Sequence, residues 1–141
     1  MNSRLDTIQA AILLEKLRIF PEEMDSREVI AQRYSKALGR SNRVRVPRVI
    51  EGARSTWAQY TIQVPDRDRL QADLKEKGIP SAVYYPIPLS RQKAYATFPS
   101  VPIPVSEKLS RVVISLPMHP YLDDASQDFI VETVLESVQR E

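Results

Sequence analysis

Residues 1–19 read as a single helix whose apolar residues refuse to keep to one face. Leu5, Ile8, Ile12 and Ile19 recur at helical spacing along one stripe. Ala10, Leu13, Leu14 and Leu17 form a second stripe, offset by more than a quarter turn, which leaves the polar positions mainly to Thr7, Gln9, Glu15, Lys16 and Arg18. A helix that is apolar round most of its circumference is ordinarily buried on two sides. A chain of 141 residues folds as one domain and covers one side of a terminal helix. The other side therefore calls for a partner: a second domain, a second subunit, or both.

Phe20-Pro21 is expected to break this helix, with Pro21-Glu22-Glu23 opening the next one. Proline suits a first helical turn, and the acidic pair faces the positive end of the helix dipole. Ile30, Tyr34 and Leu38 then repeat every fourth position, and Gly39 supplies a stop. Residues 1–39 thus form a helical connector, a long broken N-terminal helix.

The remainder alternates between short strands and helices. Arg40, Arg43, Arg45, Arg48 and Arg54 stand against one Glu51, and Arg43-Val44-Arg45-Val46 alternates as a charge-protected edge strand does. A phosphate-binding patch is the competing reading, but no aromatic residues interleave to stack bases, and a net charge of +2 is weak support for nucleic acid. Residues 57–64 alternate as a strand. Asp66 or Asp68 can cap a short helix carrying Leu70 and Leu74, which ends at Gly78. A strand over 79–85 follows, then a short helix over 105–110 and an apolar central strand over 112–116 closed by Pro117. Asp123-Asp124 opens a last helix with Ile130, Val134 and Val138 as its core stripe, flanked by Phe129, Val131 and Leu135. The expected architecture is an α/β (α+β) two-layer sandwich, a small sheet of about three strands covered by helices.

Composition closes off several functions. Apolar residues make up 43% and charged residues 27%, with no apolar run of membrane length, so neither a membrane nor a nucleic-acid partner is expected. No basic flank followed by an apolar core marks a signal peptide, and there is no cysteine, so a cytoplasmic location is the expectation. His119 is the only histidine, and the glycines number three, which excludes a multi-imidazole metal site and a glycine-rich phosphate loop. The chain carries no self-contained catalytic constellation. Its most chemically dressed stretch is GIPSAVYYPIPLSRQKAY, residues 78–95, where a strand ends on Tyr84-Tyr85 and Pro86 and Pro88 forbid its continuation. Ser90, Arg91, Gln92, Lys93 and Tyr95 follow on an irregular segment. Such a segment is either a proline-stiffened surface turn or a ligand-presenting loop at a strand end.

Asn2-Ser3-Arg4-Leu5-Asp6-Thr7-Ile8-Gln9-Ala10-Ala11 resembles the N-x-R-x-D-x-I-Q-A-A segment of the DegT/DnrJ/StrS family of sugar aminotransferases. Ser55-Thr56-Trp57-Ala58-Gln59-Tyr60, Gly78-Ile79-Pro80, Tyr84-Tyr85-Pro86, Pro88-Leu89 with Gln92, and Ser115-Leu116-Pro117-Met118 continue that resemblance in the family's order across the chain. It implies the C-terminal small domain, residues 1–141, of a fold-type-I enzyme that uses pyridoxal phosphate (PLP) and moves an amino group from glutamate to a nucleotide-linked keto sugar. The wording of 82–92 and 115–122 looks most like members acting on UDP-linked 3-oxo sugars. The family's Schiff-base lysine lies in an upstream large domain, and none of Lys16, Lys36, Lys75, Lys77, Lys93 or Lys108 has a matching context. No catalytic residue and no bound cofactor are therefore expected of this chain alone. The resemblance further implies that Asn2 meets the PLP phosphate of a homodimer mate, and that Arg4, Tyr84, Tyr85 and Ser90 face substrate, Ser90 standing where many members have histidine. A non-catalytic dimerisation or regulatory module derived from the family is the alternative.

Overall fold

The computed structural model describes residues 4–140. Asp6 opens the longest element: its carboxylate accepts the N–H of Gln9 at 2.8 Å, capping helix α1, Thr7–Leu38. The expected break at Phe20-Pro21 does not occur, because α1 runs straight through Pro21. An interior proline removes one N–H and crowds the carbonyl four residues back, here Leu17, at a cost of roughly 3 kcal/mol. The flanking leucine, lysine, glutamate and methionine residues are good helix formers, and the part after Pro21 is anchored by tertiary contacts, which together offset that cost. A second expectation also fails. Neither apolar stripe of the first half is covered by this chain: residues 11–20 are all exposed.

The second half of α1 is where the core starts. Ile30, Ala31, Tyr34 and Leu38 are buried. The Tyr34 hydroxyl donates to the Pro117 carbonyl at 3.1 Å, and its ring stacks on Tyr60 with centroids 4.9 Å apart. Burial, and then the neighbouring Tyr60, push the Tyr34 hydroxyl well above its ordinary pKa, so it remains a proton donor. Gly39 ends the helix by close approach rather than by a left-handed turn; a Cβ there would lie 2.6 Å from the Ser35 carbonyl oxygen.

Two antiparallel strands, β1 (Tyr60–Gln63) and β2 (Val113–Leu116), form the sheet, with Tyr60 opposite Leu116 and Ile62 opposite Ile114. These four side chains point into the core. Thr61 and Ser115 share a 2.8 Å hydroxyl hydrogen bond on the other face. The expected third strand over 79–85 shrinks to one bridge, Ala82 to Ser115 beside β2. Pro80 and Pro86 bracket that bridge and have no N–H to extend it. The arginine-rich segment supplies the opposite edge, again as a single bridge, Arg45 to Gln63, with Val44 buried.

Helix α2, Arg67–Glu76, is capped by Asp66 and ends in a Schellman motif: Ile79 N–H donates to the Leu74 carbonyl and Gly78 N–H to that of Lys75. Gly78 takes φ +73, which only glycine adopts without strain. Helix α3, Pro104–Val112, begins on a proline and runs directly into β2. Helix α4, Asp124–Gln139, is capped by Asp123 and buries Ile130, Val131, Val134 and Val138 as its sequence pattern predicts. It is fastened to α1 by Gln127, whose amide donates to the Ile30 carbonyl, and by Arg33, which pairs with Asp124 and Asp128. The α/β two-layer class therefore stands, with two strands rather than three.

Candidate functional site

The chain leaves the sheet after Ala82, and two tyrosines follow at once. The Tyr84–Tyr85 peptide bond is cis. Both rings face outward, 48% and 71% exposed, and meet edge to face with centroids 5.8 Å apart. Beyond Pro86 and Pro88 come two single-turn 3₁₀ helices, Leu89–Arg91 and Lys93–Tyr95. Arg91 fixes the first of these to α3: its Nε and Nη2 both donate to Glu107 Oε1, at 3.0 and 2.7 Å.

Between that segment and α3 lies an open cleft of about 860 Å³. Its walls are aromatic and aliphatic, with Tyr84, Tyr85, Leu89, Tyr95 and Phe98 on one side and Leu109 on the other. Its polar lining consists of tyrosines, serines and Gln92, and among the described residues no charged side chain borders it. The Oγ of Ser90 is buried in this wall and has no hydrogen-bond partner among the described residues. An unmet buried hydroxyl costs about 1–3 kcal/mol, so a ligand or an incoming chain that reaches it gains that much back.

A second cavity, about 300 Å³, opens on the far side of Tyr84 between Ala58-Gln59, the turn at 80–82, and Leu116-Pro117-Met118. Tyr84 borders both spaces. The 58–59 wall hangs from Trp57, which is buried yet holds φ +46. A left-handed non-glycine residue costs on the order of 1–3 kcal/mol and persists only where its surroundings enforce it. Here Arg27 Nη1 donates to the Trp57 carbonyl at 3.1 Å and to the Met118 carbonyl at 3.4 Å. Glu28 Oε2 accepts the indole N–H at 2.7 Å.

The structure thus brings Tyr84, Tyr85 and Ser90 together on one cleft. Arg4 is exposed just ahead of the Asp6 cap and borders neither cavity. Asn2 lies outside the described residues. Sequence reasoning missed the α3 wall and the Arg27–Glu28 clasp. The wall was legible in principle, because Ser106, Leu109, Ser110 and Val113 follow helical spacing. The clasp was not, since it joins residues about thirty positions apart through hydrogen bonds that leave no local pattern.

These two cavities do not fit PLP by themselves. A pyridine aldehyde phosphate needs a lysine for its carbonyl and donors or cations for its phosphate, and among the described residues no lysine, arginine or carboxylate borders either space. Lys16 and Lys77 are paired with Glu23 and Glu136. No step through the cofactor is therefore derived from these residues. Among the described residues no cluster fit for a metal ion occurs, and no helix is long and apolar enough to cross a membrane.

The chain is a small two-layer α/β domain that presents an aromatic cleft which, among the described residues, no charged side chain borders. Residues 1–135 match the DegT/DnrJ/EryC1/StrS aminotransferase family, and the chain belongs to that family. It is 48% identical over 126 residues to UDP-2-acetamido-2-deoxy-3-oxo-D-glucuronate aminotransferase of Pseudomonas aeruginosa, covering 89% of this chain and 34% of that protein. The crystal structure of a DegT DnrJ EryC1 StrS aminotransferase from Brucella abortus superposes with a TM-score of 0.91 at 49% identity, covering 99% of this chain and 38% of the other. The structure of S. venezuelae DesV in complex with a ketimine intermediate gives a TM-score of 0.93 at 29% identity, covering 100% and 38%. The chain thus spans about a third of the length of the curated relative. In the full-length enzymes of this family the implied cofactor is PLP.

Proposed function

We propose that this chain is the C-terminal part of a PLP-dependent aminotransferase that transfers the amino group of glutamate to a nucleotide-linked keto sugar, with a UDP-linked 3-oxo sugar as the preferred class. The observation that carries the reading is the family match over 1–135 together with the 48% identity to a P. aeruginosa enzyme whose name specifies such a substrate. Large domain and homodimer mate supply what the two cavities lack. In this reading Asn2 donates to the PLP phosphate of the partner subunit, Arg4 engages a carboxylate of glutamate or of a uronate, and Tyr84, Tyr85 and Ser90 contact the nucleotide sugar. The position of Tyr84 on both cavities and the unpartnered Ser90 hydroxyl support the last of these. A guanidinium forms two parallel bonds to a carboxylate, which suits Arg4 to its task.

The test is to express the complete reading frame that contains this sequence and supply PLP, glutamate and a UDP-linked 3-oxo sugar. Formation of 2-oxoglutarate with an equal amount of aminated sugar is expected, while the 141-residue chain alone stays inactive. A reading frame with no lysine-bearing domain would favour the non-catalytic module instead. Turnover by the isolated chain, with PLP held on one of its own lysines, would overturn the assignment.

A further inference from the structure

The feature that the functional reading leaves unused is the Arg27–Glu28–Trp57 clasp. We infer that Arg27 is a positioning residue for substrate, fixing the relative placement of residues 58–59 and 117–118, which line the second cavity, and hence the seat offered beside Tyr84. The inference rests on the aminotransferase reading above.

Arg27 and Glu28 are adjacent on α1, both half-buried. One Nη1 reaches two carbonyls on the two neighbouring segments that line this cavity past the ladder's end, that of Trp57 just before Ala58-Gln59 and that of Met118 at the end of Leu116-Pro117-Met118. The two segments are far apart in sequence; the strand ladder joins them at Tyr60 and Leu116, and the Arg27 guanidinium ties them together beyond its end. Glu28 grips the other end of Trp57 by its indole N–H, and Gln32 steadies Glu28 with a 2.9 Å bond to Oε1. Ser55 Oγ accepts the Trp57 N–H at 3.1 Å. Backbone N–H, backbone C=O and indole of one residue are all held, which is what a left-handed tryptophan requires. Both Arg27 hydrogen bonds go to main-chain carbonyls at the end of the strand pair that lines this cavity. Misplacing such a wall by about an ångström weakens substrate fit out of proportion to its effect on folding.

The experiment uses the complete enzyme and three variants, Arg27→Gln, Arg27→Lys and Trp57→Phe. Arg27→Gln is expected to raise KM for the keto sugar about ten-fold, with kcat and the KM for glutamate changed less than about two-fold. Arg27→Lys, which keeps a charged donor of similar reach, restores most of the loss. Trp57→Phe gives up only the indole bond and raises the same KM about three-fold. In the 141-residue chain Trp57 is the sole tryptophan, so Arg27→Gln should also shift its emission to the red while the helical circular dichroism is kept. An active wild type whose Arg27→Gln and Trp57→Phe forms keep the sugar KM, or lose rate on both substrates in proportion to lost folded protein, overturns the positioning role alone. Should Arg27→Gln fail to fold, Trp57→Phe decides on the same criterion. A wild type with no transaminase activity overturns the functional reading itself, and the positioning role falls with it.

Discussion

Helix α1 holds two opposite arrangements on either side of Pro21. Before it, Ile8 and Leu14 are 75% and 62% exposed, and Ile12, Leu13 and Leu17 stand open beside them. After it, Tyr34 and Leu38 are fully buried against β1 and α4, and Ile30 and Ala31 join them. The first half is the more apolar of the two, yet it contributes nothing to this chain's core. The contrast separates two quantities that a hydrophobic pattern merges: how much surface a helix needs covered, and which part of the molecule covers it. A contiguous exposed apolar surface of this kind marks an interface. In the function proposed above, the first half is an arm for the parts of the enzyme outside this chain, while the second half serves as the domain's own keel.

The sharpest way to break the comparison is to remove the keel. Tyr34→Ala deletes a fully buried ring stacked on Tyr60 and a hydroxyl bonded to the Pro117 carbonyl. Truncating a buried aromatic costs about 3–5 kcal/mol, and urea unfolding of the 141-residue chain should report a loss of that size. A loss no larger than that of an exposed substitution would mean that the second half is not the anchor. Next in size is Pro21→Ala, which restores a backbone donor at the junction of the halves. Proline inside a helix is roughly 3 kcal/mol worse than alanine, so amide exchange across residues 8–20 should slow, with a smaller gain in global stability. Unchanged exchange there would show that the halves are already mechanically continuous.

What could be read from the sequence follows the same division. Elements with local signals emerged correctly: a capped α2, where Asp66 rather than Asp68 takes the cap, the Asp123-Asp124 opening of α4, the Gly78 stop, and the buried stripe of α4. Phe129 is the exception on that stripe, half-exposed beneath the Lys77 ammonium. Pro21 misled because the penalty for an interior proline is small beside the tertiary contacts that hold the second half of α1. The strand over 79–85 misled because its apolar residues pass as a strand while Pro80 and Pro86 leave only Ala82 able to pair. Of the candidate site, Tyr84, Tyr85 and Ser90 were singled out from the sequence, and the structure sets all three on one cleft. The clasp on Trp57 was invisible, since neither an arginine's two carbonyl acceptors nor a left-handed tryptophan has a sequence signature.

Acid should loosen helix α4, which packs against the second half of α1. The Asp123 carboxyl is held below its ordinary value, first by the Ser126 N–H and then by the Ser126 hydroxyl. A depressed folded-state pKa means that the ionised cap adds stability above the unfolded carboxylate range, and that this share disappears as pH falls through the folded value. Unfolding measured from neutral pH downward should show the decline, and Asp123→Asn, which keeps a capping oxygen without the charge, should flatten it. An equally steep decline in the Asn variant would assign the acid sensitivity to other carboxylates.

The smallest expected effect on stability is the most telling for the arm. Leu13→Ala and Leu17→Ala together remove two leucines that are about half or more exposed in this chain. Alanine is the best helix former, so the helix itself loses nothing. Surface changes usually fall within about 0.5 kcal/mol, and the unfolding midpoint of the isolated chain should barely move. If these leucines were instead packed inside the chain's own fold, each truncation would cost about 2–5 kcal/mol, and the midpoint would collapse. Association is the quantity that should respond. The unsubstituted chain is expected to self-associate as concentration rises, through the open leucine face, and light scattering should show the double variant remaining smaller at the same concentration. A chain that stays monomeric without the substitutions would show that the open face does not self-associate. Stability preserved and association lost would separate the two halves of α1 by function as cleanly as their burial does.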